Sequence, residues 1–200
     1  IVLFSLDKDQ NATLAETLQI GAYSYANPVL SDDGEVMFYL SDREDNDPES
    51  ALDIRNTRVA VSTKSNGQFQ QGERFDSNDE VSTGYGDSNV KVAGSDGSYA
   101  AVWVRQTEDI TENVVPGTAL DDGQQMLQIN STEIMAATST GGSDWTLEQL
   151  TDNSTPDLAP VVAASGNRII VAWREVKSSD ASNLTNFDQQ DAIRYAVYEG

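Results

Sequence analysis

Residues 99–104 read YAAVWV, and two other runs share their build: VMFYL at 36–40 and RIIVAW at 168–173. When the three are superposed, Tyr39, Trp103 and Trp173 fall in one column, separated by 64 and 70 residues. A recurrence of this kind marks a modular chain. Each run is apolar nearly throughout, as a strand is when both of its faces are covered. The three column aromatics are therefore expected in the core.

A short extended stretch and a tight turn precede each run. The first copy is Asn27-Pro28-Val29-Leu30 with the turn Ser31-Asp32-Asp33-Gly34. The second is Ser88-Asn89-Val90-Lys91-Val92 with Ser95-Asp96-Gly97, and the third Ala159-Pro160-Val161-Val162-Ala163 with Ser165-Gly166-Asn167. Gly, Asp and Asn stand where tight hairpins need positive φ.

A second hairpin follows each first one. Its first strands are Arg58–Ser62, Ile134–Thr138 and Ile193–Tyr198; its second strands are Phe69–Phe75 and Trp145–Leu150. The opening residues fit the same unit, with Val2–Ser5, a turn over Asp7–Asn11, and Thr13–Ile20. Helix signals are nearly absent, Leu14–Leu18 being the one helix-like stretch, and that also fits a strand.

The expectation is an all-β chain of four-stranded antiparallel blades in tandem, a β-propeller incomplete within these residues. The boundaries are 1–22 for the end of one blade, 23–76 and 77–152 for two blades, and 153–200 for a partial one. Tandem β-sandwich domains are the alternative. On this reading the residues are an excerpt, and the rest of a parent chain completes the propeller.

Composition narrows the function classes. Lys and Arg number 12 against 33 Asp and Glu, for a net charge of -21. Such a chain repels phosphate backbones and anionic membrane surfaces, so nucleic acid and membrane insertion are not expected. A solvated acidic coat, calcium at Asp-rich turns, and adaptation to high salt all fit this balance. Cys and His are both absent. That removes disulfides, thiol nucleophiles, zinc sites built on them, and every His-based triad.

The turns of the second hairpins resemble degenerate Asp-boxes, the S-x-D-x-G-x-x-W signature of sialidase-like (BNR-repeat) propellers. Thr138, Gly142 and Trp145 match its first, fifth and eighth positions, with Thr140 where Asp is expected. Ser62 and Phe69 match the first and eighth, and Ser5 and Asp7 the first and third. In such a turn a hydroxyl and an acid tie down backbone amides while the aromatic plugs between strands. The resemblance implies fold rather than activity, because that motif lies away from the family's catalytic face. Sialidases also carry an arginine trio that binds a carboxylate. Arg43, Arg105 and Arg174 follow the aromatic strands at near-equivalent positions. They are read either as an anion-binding cluster or as strand-exit arginines neutralising nearby acids.

Other candidates stand beside these. Asp7, Asp9 and Asn11 have the spacing of the first three ligands of a calcium loop, but Ala12 and Leu18 occupy the Gly and Glu positions. Calcium is the only cofactor the chain suggests. Tyr23, Tyr25 and Tyr85 precede the first strands and are candidates for stacking on sugars. The functional expectation is a non-catalytic segment of a large secreted or surface-displayed bacterial protein. It acts as a scaffold or recognises a protein or glycan through rim loops. The alternative is part of a sialidase-like glycoside hydrolase or polysaccharide lyase.

Overall fold

The computed structural model describes residues 1–18, 27–41, 57–75, 86–108, 121–177 and 191–199. They form fourteen strands and one helix. The strands pair antiparallel into four successive units. An opening hairpin joins β1 (Val2–Leu6) to β2 (Ala12–Thr17). Sheet one holds β3 (Val29–Leu30), β4 (Val36–Ser41), β5 (Arg58–Ser65), β6 (Gln68–Phe69) and β7 (Glu73–Arg74). Sheet two runs β8 (Asp87–Ser95), β9 (Ser98–Gln106), β10 (Thr132–Thr140), β11 (Trp145–Gln149). Sheet three runs β12 (Asp157–Ser165), β13 (Arg168–Glu175), β14 (Ala192–Glu199).

Sheet one has four strand positions, because β6 and β7 both pair with β5 and together make one interrupted fourth strand. The interruption passes Gly72, where an added Cβ would lie 2.0 Å from the Tyr39 hydroxyl, so only glycine permits the approach. At Asn66-Gly67 both residues have positive φ, 52° and 80°, the mirror-image turn that matches strand twist.

The three aromatic strands meet their third strands in matching register. Tyr39, Trp103 and Trp173 lie opposite Ala60, Met135 and Arg194 on the third strands. Asn27, just before β3, and Asn89 and Ala159, each the third residue of β8 and β12, all have positive φ, at 43°, 56° and 52°. In β8 and β12 this coincides with the same register shift, between Ser88 and Lys91 and between Leu158 and Val161. A bulge is thus repeated along with the strands.

Side-chain alternation then stacks the units in series. Met37 and Tyr39 face back onto Leu18, Leu3 and Ile1, while Phe38 and Leu40 face forward. Ala101 and Trp103 face back onto Phe38 and Val61; Val102 and Val104 face forward. Ile169, Val171 and Trp173 face back onto Val102 and Ile134. Each column aromatic therefore fills the seam with the preceding unit. All three are buried, at 2%, 0% and 8% exposure, as expected.

Two features depart from expectation. Residues 122–130 form a helix, α1 (Asp122–Asn130), whereas the one helix-like stretch in the sequence is Leu14–Leu18. Its start is a capping box: the Gln124 amide donates to Asp121, and the Asp121 amide donates to the Gln124 side chain. The strand expected over Phe69–Phe75 is broken into β6 and β7.

Candidate functional site

The Asp7 turn joins β1 to β2. Asp7 Oδ1 accepts the amides of Asp9 and Asn11 at 2.8 and 2.9 Å, and Oδ2 accepts the Asn11 side-chain amide at 2.9 Å. The Asn11 side chain and backbone, with the Asp9 amide, hold the Asp7 carboxyl below its ordinary range. Both oxygens thus serve the turn itself. Among the described residues, no group of three or more acids is placed to hold a metal ion.

Arg105 and Arg174 do not converge. Arg105 lies opposite Asp87, whereas it is Glu175 that lies opposite the corresponding Asp157. Arg105 and Arg174 are therefore one register apart and leave their strands on opposite faces. Each is engaged with a fully buried carboxylate. Arg105 donates to Asp87 through Nε and Nη2, at 2.7 and 2.8 Å, and to the Phe75 carbonyl at 3.1 Å. Arg174 donates through Nε to Asp191 at 3.0 Å, and Asp191 also accepts the Lys177 amide. The acids paired with these two are Asp87 and Asp191, which sequence reasoning did not single out. Arg43, Tyr23, Tyr25 and Tyr85 lie outside the described residues.

Asp87 does more than neutralise Arg105. Its Oδ2 accepts the Val59 amide at 2.9 Å and its backbone exchanges hydrogen bonds with Thr57, so it clamps sheet two to sheet one. At the other end of the same seam, Asp33 accepts from Ser31 Oγ, the Glu35 and Asp96 amides, and the Tyr99 hydroxyl. Burial pushes Asp33 up, but these four donors outweigh it and the carboxyl ends below its ordinary range.

The corresponding seam between sheets two and three is built differently. Glu133 and Asp157 are fully buried there, joined through Asn153, whose backbone amide donates to Glu133 and whose side chain donates to Asp157. One oxygen of each acid has no partner. Burial, and then neighbouring carboxylates, push both above their ordinary range. Where Asp87 meets an arginine, Asp157 meets Glu175.

The β10–β11 turn is where the Asp-box resemblance falls. Its tie is Ser139, whose Oγ accepts the Gly142 amide at 3.0 Å, rather than Thr138. Trp145 packs edge-on against Phe38, with ring centroids 5.0 Å apart, so it plugs the seam between sheets one and two. Phe69, at the matching place in sheet one, faces back in the same way.

A cleft of about 280 Å³ opens between sheets two and three beside β14. Ala136, Thr146, Leu150, Val171, Ala196 and Tyr198 are among the residues that line it. No protein-family model matches this chain, and no curated protein matches it. No helix among the described residues is long and apolar enough to cross a membrane.

Proposed function

We propose that the chain is a run of propeller blades of the sialidase-like, Asp-box kind, serving as a non-catalytic scaffold in a large secreted or cell-surface protein. The observation that carries this reading is the serial rule of the seams: every column aromatic faces back, and Leu40 and Val104, which follow the first two, face forward. A stack obeying that rule repeats without a built-in stop.

The exposed ends fit further units of the same longer chain. Val2, Phe4 and Leu6 are exposed on the opening hairpin, and Val161, Ile170, Tyr195 and Val197 on the forward side of sheet three. In sheets one and two, that forward side is covered.

The scaffold recognises a glycan or surface protein through its rim loops. Loops on a rigid β frame are the usual carriers of binding. The ion-paired state of Arg105 and Arg174 favours this reading over hydrolysis. The test is to offer the intact parent protein a glycan array, together with sialic-acid and uronic-acid substrates. The reading expects retention of a ligand without turnover. Turnover abolished by changing one acid in a shared cavity contradicts it. Calcium belongs to the proposal only if it raises the melting temperature and Asp7→Ala removes the rise.

A further inference from the structure

The two seams of sheet two close on opposite chemistry. Toward sheet one, Asp87 takes the Arg105 guanidinium and the Val59 amide. Toward sheet three, the residues in the matching places are Asp157, Glu175 and Ile134, so an acid stands where the arginine does in the other seam. We propose that Glu133 and Asp157 form a proton-operated latch, which holds sheets two and three together while the pair carries a proton and loosens that seam once the pair is fully ionised.

Three observations carry it. The first is enclosure. Both carboxyls are fully buried, and Glu133 Oε2 and Asp157 Oδ1 have no hydrogen-bond partner. An ionised oxygen in that state is costly, and two in one seam more so, whereas a retained proton gives the pair a donor.

The second is the bridge. Asn153, just past β11, gives its backbone amide to Glu133 at 3.0 Å and its side-chain amide to Asp157 at 2.7 Å, tying β10 to β12. Thr151 lies beside both carboxyls, but its hydroxyl already accepts the Ile134 amide at 2.9 Å and has a single proton to give.

The third is the lack of countercharge. From β9, Arg105 lies opposite Glu133, but its Nε and Nη2 go to Asp87. The stretch after β11 brings Asp152, another acid. From β13, Glu175 lies opposite Asp157; it accepts from Arg194 of β14 at 2.6 Å and stands 4.0 Å from Lys177. Arg174 is held by Asp191. Residues 109–120 and 178–190 contain no Lys or Arg. Burial first, and the neighbouring acids after it, outweigh the hydrogen bonds that favour ionisation and raise both carboxyls. The latch is therefore fully held at low pH and loses support as pH rises above the ordinary values of 4.5 and 3.8. Asp33, held low, supports the seam with sheet one in its ionised form, so pH moves the two seams in opposite directions.

The chain has no cysteine, so introduced thiols can read each seam separately. Val102 and Val90 are both fully buried on sheet two, Val102 toward sheet three and Val90 toward sheet one. Val102→Cys and Val90→Cys are labelled with a thiol reagent in the otherwise intact chain from pH 5 to 8. Dividing the first rate by the second removes the thiol's own pH dependence. The ratio is expected to rise about tenfold for each pH unit over which opening releases one proton, and to stay flat when Glu133→Gln and Asp157→Asn are added. Should either cysteine unfold the chain, Ala100→Cys and Ala101→Cys, buried neighbours on β9 that face sheets three and one, make the same comparison. A ratio that does not change with pH, or an equal rise with Glu133→Gln and Asp157→Asn in place, overturns the proposal. So does a rise abolished by millimolar calcium, which would make the pair a metal site rather than a proton site.

Discussion

The phenol of Tyr99 reaches across the seam between sheets one and two and donates a 2.8 Å hydrogen bond to Asp33. Asp33 gathers three further donors from the two hairpin turns it touches, so one exposed carboxylate fixes the relative position of both turns. Tyr99→Phe is expected to cost about 1 kcal/mol, and Asp33→Asn a similar amount. Denaturant unfolding of both single variants and the double variant checks this, with the double costing less than the sum of the singles. Because the folded carboxyl sits below its ordinary value of 3.8, its contribution is present above that pH and fades as the solution is acidified.

Gly94 is the neighbouring fixed point. Its φ is 120°, and a Cβ there would lie 2.1 Å from the Ser98 carbonyl oxygen, a backbone atom with nowhere to go. Its amide and carbonyl both bond to Asp32 of the preceding sheet. Gly94→Ala is expected to destabilise by about 3 kcal/mol or more, read as a lowered melting temperature. Gly67→Ala has open space around the new Cβ and pays only for its positive φ, so it should cost about 1 kcal/mol.

Removing one member of a buried ion pair strands the other. Arg105→Ala leaves Asp87 charged, enclosed and still tied to Val59. The expected loss is about 3 to 5 kcal/mol, enough to unfold a marginal domain. Circular dichroism melts of Arg105→Ala and Arg105→Lys check it, with Lys recovering part of the loss because it restores charge without the two-pronged fit.

Glu133 and Asp157 give the opposite sign. Both carboxyls lie above their ordinary values of 4.5 and 3.8 in the folded chain, so folding favours the protonated forms. Stability should fall as pH rises through and above those values. Glu133→Gln and Asp157→Asn are each expected to stabilise at pH 7 by on the order of 1 kcal/mol and to flatten that fall. Melting temperatures across pH 4 to 8 report both effects.

Much of the fold could be read from the residues, for physical reasons. Doubly covered strands must be apolar throughout, so Val36–Leu40 and Tyr99–Val104 identified themselves, and turn glycines marked where they reverse. The helix at Asp122–Asn130 was missed because its apolar residues are few, although the Asp121-x-x-Gln124 cap was present as a signal. The break in the fourth strand of sheet one was hidden because it follows from Tyr39 crowding Gly72, a tertiary contact. Arg105 and Arg174 looked equivalent because both end an aromatic strand. A one-residue offset, invisible until the strands are paired, sends them to opposite faces. Asp87 and Asp191 were hard to single out in a chain with 33 acids, where only burial distinguishes them.

The serial stacking of the sheets is tested most directly by nuclear Overhauser contacts from the Trp173 indole. The account predicts contacts to the methyl groups of Val102, Ile134 and Ala136 on sheet two, and none to Tyr195 or Val197 on the forward side of sheet three. Contacts to Tyr195 and Val197, with none to Val102, would mean the aromatic column does not face backward, and the repeat would lose its structural meaning.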